Sequence, residues 1–148
     1  MNAPQRILVP TDFSPYADKA LEAGLFFAKQ FKAKLHVLHV VPDIQQCTID
    51  YCLSSEFVSQ YREKGIGESK LRIRSDLDRY PDMQVEAVIQ VRIGIPEEEI
   101  LREEKEMGID LIVIASHGKT GLLQYLMGSV AERVSRAAKG NVLLVRAT

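Results

Sequence analysis

The chain has 148 residues, 46% of them hydrophobic and 26% charged, which suits one globular domain with a buried core and excludes a disordered chain. Its 19 Lys and Arg against 20 Asp and Glu leave a net charge of −1 with no basic block, which argues against nucleic acid or an anionic membrane as the main partner. No apolar stretch approaches the ~20 residues of a membrane span, and MNAPQRILVP does not read as a signal peptide, so a cytoplasmic protein without membrane insertion is expected.

Ile7-Leu8-Val9, closed by Pro10, is apolar on successive positions and predicts a strand buried on both faces. Ser14 and Pro15 follow as helix N-cap and first helical residue. Ala17, Ala20, Leu21, Gly24, Ala28 and Phe31 then recur at helical spacing over 15–31. Gly24 predicts that this helix lies close to the sheet. Residues 33–41, AKLHVLHVV, form a second strand ended by Pro42. The stretch 43–53 lacks a pattern and holds both cysteines, Cys47 and Cys52, which are not spaced as CxxC and read as reduced thiols near a loop. A helix capped by Ser54 or Ser55 extends to about Arg79. Its apolar pattern drifts and Gly65-Ile66-Gly67 interrupts it, so this region is expected to be the most mobile or irregular.

Residues 83–91 place Met83, Val85, Ala87, Ile89 and Val91 on one face, as in a half-buried strand near an edge. Gly94-Ile95-Pro96 turns into a helix whose Glu97, Glu98 and Glu99 suit the dipole of a solvated first turn. Ile100, Leu101 and Met107 face inward and Gly108 ends it. Residues 109–115 are a second continuous apolar run, hence a central strand. After the loop 116–127, Ser129 and Glu132 read as an S-x-x-E capping box, and a last strand covers 142–146.

The order βαβαβαβαβ means a parallel sheet with right-handed crossovers and helices on both faces. If the two continuously apolar strands are central neighbours, the strand order is 3-2-1-4-5. The topological switch then lies between strands one and four, and a ligand is expected beyond their carboxyl ends. Those ends are Pro10-Thr11-Asp12 and Ala115-Ser116-His117-Gly118.

Gly118-Lys119-Thr120 mimics the tail of a Walker A motif, but the position five before Gly118 is Val113, so it is not a P-loop. Taken alone, Gly118 and Gly121 can be turn chemistry. Gly128-Ser129 is more specific, because glycine admits a close ligand and a helix N-terminus can donate to phosphate; the competing role is capping alone. Asp12 can hold a ribose hydroxyl or a metal shared with phosphates, or serve only the turn ahead of Pro15. Thr11 can be only a strand-end residue. His36 and His39 point to opposite faces of one strand and cannot share a metal. His117 is the only histidine expected in the site, with no paired nucleophile, Ser-His-Asp arrangement, zinc spacing or carboxylate pair evident.

ILVPTDFS near the start, GIPEEEI in the middle, and SHGKTGLLQYLMGSVAERV followed by VLLVRA resemble the universal stress protein family, over nearly the whole chain and most weakly across 43–80. The resemblance implies an adenine nucleotide alpha hydrolase-like, Rossmann-like fold. The family's nucleotide-binding branch carries G-x2-G-x9-G-[ST]. Gly118, Gly128 and Ser129 match its last parts, and Ala115 stands where the first glycine is expected, at a strand end where a negative φ suffices. By resemblance, Pro10, Thr11 and Asp12 lie around adenosine and ribose, Val40 flanks adenine through its backbone, and Ile114 and Ala115 line the site. Gly118, Gly128, Ser129 and Val130 contact ribose and phosphates. The implied ligand is ATP, with Mg²⁺ held by Asp12 through the phosphates. The implied protein is a non-catalytic, stress-linked switch with a regulatory partner, dimerising through 142–146. Two alternatives stay open: a slow ATPase or autophosphorylating enzyme with Ser116, Thr120 or Ser129 as acceptor, and a nucleotide-free interaction module, which Ala115 permits.

Overall fold

The computed structural model describes residues 2–44, 54–118 and 126–146. The two continuously apolar runs become neighbouring central strands. β1 (Arg6–Pro10) pairs on one side with β2 (Lys34–Pro42) and on the other with β4 (Leu111–Ala115), while β3 (Ala87–Gly94) and β5 (Asn141–Val145) form the edges. Every pairing is parallel, in the order β3-β2-β1-β4-β5. Four helices lie among the described residues: α1 (Pro15–Phe31), α2 (Ser55–Asp78), α3 (Pro96–Met107) and α4 (Ser129–Ala137). None of them is long and apolar enough to cross a membrane.

Side-chain alternation on the strands divides the core in two. Ile7, Val9, Leu35, Val37 and Val113 pack beneath α1 and α2. Leu8, Leu38, Val40, Ile112 and Ile114 pack beneath α3 and α4. Ile7, Leu8 and Val9 are all fully buried, so neither face of β1 meets water. Each such side chain contributes roughly 1.5–3 kcal/mol of burial, which explains why the strand reads as unbroken apolar sequence rather than alternation. Ser14 caps α1 by accepting from the Ala17 amide at 3.2 Å, with Pro15 as its first residue. A Cβ at Gly24 would stand 2.3 Å from Val9 Cγ2, so α1 lies on the sheet at a distance only glycine allows.

Several expectations are corrected. α2 runs unbroken through Gly65 and Gly67, with Ser54 as its cap. Two glycines cost a helix about 1 kcal/mol each; Gly65 faces Val41 across a contact that a Cβ would tighten to 3.2 Å, so packing on β2 makes use of its smallness. Of the stretch 43–53 expected to be irregular, 45–53, with Cys47 and Cys52, lies outside the described residues. β3 begins at Ala87, later than expected, and extends to Gly94 because β2 offers partners as far as Pro42. Phe31 remains 44% exposed, stacked on Phe27 rather than facing the sheet.

The glutamates opening α3 are not simply solvated. Glu99 is buried and meets Arg102 at 3.0 Å, and Glu97 is paired with Arg133 of α4. Deeper along the same helix, Glu103 is fully buried and accepts from Arg92 Nε on β3 at 2.8 Å. Burial would raise its carboxyl, but the neighbouring His36 and Arg92 hold it below the usual carboxylate range. His36 Nδ1 is 3.7 Å from that carboxyl, too far for a hydrogen bond, so Arg92 is the firm partner.

Candidate functional site

A cavity of about 280 Å³ opens beyond the carboxyl ends of β1 and β4, near the small end of the ~300–1,000 Å³ usual for ligand sites. Parallel pairing puts it there: Pro10 ends β1 beside Leu38, and Ala115 ends β4 beside Val145. Pro10, Thr11 and Asp12 form one part of its wall, and Val40, Ile114 and Ala115 another. Gly118, Gly128, Ser129 and Val130 complete the set. All ten positions singled out from the sequence thus meet on one surface, although they come from four separated stretches of the chain.

The wall after β1 is a tightly bonded turn. Thr11 donates its amide to Leu38 O at 2.8 Å and accepts the Phe13 amide on Oγ1 at 3.0 Å. Asp12 Oδ1 accepts the Ser14 amide at 3.0 Å, which orients the carboxylate without using both of its oxygens in that bond. The other oxygen, Oδ2, would stand 2.7 Å from a Cβ at Gly118. Gly118 is therefore glycine for closeness: its backbone lies directly against the Asp12 carboxylate. This contact joins the two strand ends that topology predicted would converge.

The opposite wall is the start of α4. Gly128 is its N-cap, in extended geometry, and its amide donates to Ser116 O at 2.7 Å. A Cβ there would lie 3.3 Å from that same oxygen and 3.5 Å from His117 Cα. The expected capping box is absent. Ser129 is the first helical residue, one position too late to cap, no side chain among the described residues caps the helix, and Glu132 pairs with Arg136 at 3.0 Å. The first-turn amides, which no helix can satisfy internally, thus face the cavity region without a side-chain acceptor among the described residues. Such an end suits a phosphate.

Ala115 is 8% exposed and does not occupy the left-handed region. Its methyl group meets no conformational obstacle, in keeping with the negative φ expected at a strand end. Asp12 contributes one carboxylate, and among the described residues no cluster of three or more His, Cys, Asp or Glu could hold a metal. A single carboxylate is what Mg²⁺ carried on a phosphate-bearing ligand would require, since that ion commonly takes one or two protein carboxylates and completes its shell from ligand and water.

Sequence reasoning missed parts of this wall. His39, not expected in the site, lines the cavity, so His117 is not its only histidine. His39 Nδ1 lies 2.8 Å from Thr11 O, which makes that nitrogen the donor. Leu38, Pro96 and Ile100 also line it; the signal for Leu38 was its register opposite Pro10. His117 has a partner after all, with Nδ1 2.9 Å from Ser116 Oγ, while its Nε2 is buried without a hydrogen bond among the described residues. Lys119 and Thr120 lie outside the described residues.

The Universal stress protein family profile matches residues 4–146. Universal stress protein MJ0577 of Methanocaldococcus jannaschii is 31% identical over 96% of this chain and 94% of its own. Universal stress protein YxiE of Bacillus subtilis is 32% identical over 95% and 98%. The solved structure of MJ0577 superposes with a TM-score of 0.80 at 30% identity, covering 99% of both chains. A universal stress protein solved in complex with cAMP shares the fold, with a TM-score of 0.68 at 23% identity over 98% of each chain.

Proposed function

Because the chain belongs to the universal stress protein family, we propose that it binds an adenine nucleotide, ATP with Mg²⁺, in the cavity beyond β1 and β4. It acts there as a non-catalytic cytoplasmic switch for a regulatory partner. One observation carries this reading: segments far apart in sequence place a fixed carboxylate and a helix N-terminus without a described side-chain cap on opposite walls of one cavity. In the proposed pose, Leu38, Val40 and Ile114 hold the base by apolar contact. Asp12 accepts from ribose or holds the metal on the phosphates. The α4 amides, with Ser129 and the backbone of Gly118 and Gly128, take the phosphate oxygens.

The protein is proposed to work as a homodimer through β5. That strand is a sheet edge whose Val142, Leu143, Leu144 and Val145 are only half-buried in the single chain. An apolar edge of this kind is a template for pairing with a copy of itself. Light scattering on the eluting protein should give twice the chain mass, and a monomer would remove this part of the reading.

Mass spectrometry of whatever denatured protein releases tests the ligand assignment, with ATP, dAMP and cAMP as standards. ATP or ADP is the expected species. Release of an unrelated small molecule would count against the assignment. A second reading, slow phosphoryl transfer, is favoured by the Ser116–His117 hydrogen bond, which pairs a hydroxyl with a base. Ser116 is 6% exposed and does not line the cavity, so it is poorly placed to reach a γ-phosphate. Incubation with γ-labelled ATP separates the two: no label should appear on the protein and no phosphate should be released.

A further inference from the structure

The turn between β1 and α1 adopts a conformation that its sequence does not favour. Phe13 has a φ of 62°. The left-handed region suits glycine, and a bulky aromatic side chain enters it only when its surroundings hold it there. Two groups do so from opposite elements. The His39 ring lies 4.3 Å from the Phe13 ring, and the Arg72 guanidinium sits 4.4 Å from its centroid. Arg72 Nη2 also donates to Phe13 O at 3.3 Å. One exposed arginine of α2 therefore grips both the ring and the backbone of the residue that follows Asp12.

The consequence runs directly to the cavity. Phe13 N binds Thr11 Oγ1, Ser14 N binds Asp12 Oδ1, and His39 Nδ1 donates to Thr11 O. Rotation of Phe13 out of its left-handed state would turn the peptide between these bonds and move the Asp12 carboxylate away from Gly118. α2 buries only Val58, Ser69 and Ile73 among its described residues, so few contacts compete with Arg72 in setting how it docks at this end.

We infer that Arg72, acting through Phe13, is a positioning residue for Asp12 and couples its own contact with the β1–α1 turn to occupancy of the cavity. This rests on the ligand reading given above. Coupling between sites is reciprocal. If the Arg72 contact tightens ligand binding, bound ligand tightens that contact, and the part of α2 around Arg72 becomes the part of the molecule that reports occupancy.

Calorimetry with ATP and Mg²⁺ on four proteins tests this: wild type, Arg72→Ala, Arg72→Lys and Arg79→Ala. Arg79 caps the end of the same helix and ties it to Asp18 of α1 at 3.0 Å without touching the turn, so its loss reports weakened helix docking alone. Arg72→Ala should weaken ATP binding about 2- to 5-fold, the scale of one exposed cation–π contact. Arg72→Lys, which keeps a cation over the ring, should recover most of that loss, and Arg79→Ala should bind as wild type does. In an Asp12→Asn background, Arg72→Ala should add little. ATP should also slow amide exchange around Arg72 in the wild type and fail to do so in Arg72→Ala. Equal affinities for wild type and Arg72→Ala, or equal losses in Arg72→Ala and Arg79→Ala, would overturn the inference while leaving the ligand reading standing. No ATP binding by the wild type would overturn both.

Discussion

The cavity has two walls organised in opposite ways. At the β1–α1 turn, Thr11, Asp12 and Phe13 are held by side-chain and backbone bonds, and the carboxylate has one orientation. At the start of α4, Gly128 and Ser129 leave the helix end uncapped, and the backbone of Ser116 is the neighbour that fixes its place. One wall is complete before a ligand arrives; the other has donors waiting for an acceptor. A site built this way loses little ordering entropy on its rigid side and gains its charge-assisted bonds on the open side.

The first way to probe this contrast is to disturb the scaffold beneath both walls. Glu103→Gln should lower stability by about 3 kcal/mol, since it leaves the Arg92 guanidinium with a weaker partner in a buried setting. Because the Glu103 carboxyl is held below its unfolded value, its stabilising effect is present above the ordinary carboxylate range and is lost as pH falls through the folded value. Urea titrations between neutral and acid pH should thus show a flatter acid loss in the variant than in the wild type. ATP affinity of the folded variant should change little, because Glu103 does not line the cavity.

Gly128→Val acts on the open wall. Added side-chain atoms would press on Ser116 O and His117 Cα, and overpacking of roughly 1–3 kcal/mol should appear as ATP binding weakened about 5- to 150-fold. Asp12→Asn acts on the rigid wall. Losing one charged acceptor should weaken ATP binding about 10-fold with little change in melting temperature. Ser129→Ala is the smallest change and the sharpest discriminator. With no capping box, the melting temperature should not move, whereas a lost cap would cost ~1 kcal/mol. ATP affinity should still fall about 2- to 10-fold, for one neutral hydrogen bond.

The fold was legible because its signals are local and redundant. Ile7-Leu8-Val9 and the apolar run into Ala115 mark the two central strands, and alternation of elements leaves little freedom in the strand order. The cavity wall was legible for a related reason: topology alone carries Asp12 to Gly118. What stayed hidden depends on three-dimensional partners. Ser129 and Glu132 have the spacing of a capping box, but the helix starts one residue earlier than that box requires, with Gly128 at the cap. Glu97 and Glu99 look like dipole-matching surface charges, yet their partners Arg133 and Arg102 draw them into ion pairs, one of them between helices. Phe13 gives no sequence hint of a left-handed backbone, since the groups that hold it come from β2 and α2.

The central claim is that a phosphate-bearing adenine nucleotide joins the two walls. Calorimetric titration of the purified, nucleotide-stripped protein with ATP and Mg²⁺, beside adenosine at equal concentration, tests it most directly. Saturable heat at one ATP per chain is predicted, with adenosine at least about 10-fold weaker because it lacks the oxygens that the α4 amides await. No heat with millimolar ATP, or equal affinity for ATP and adenosine, would contradict it.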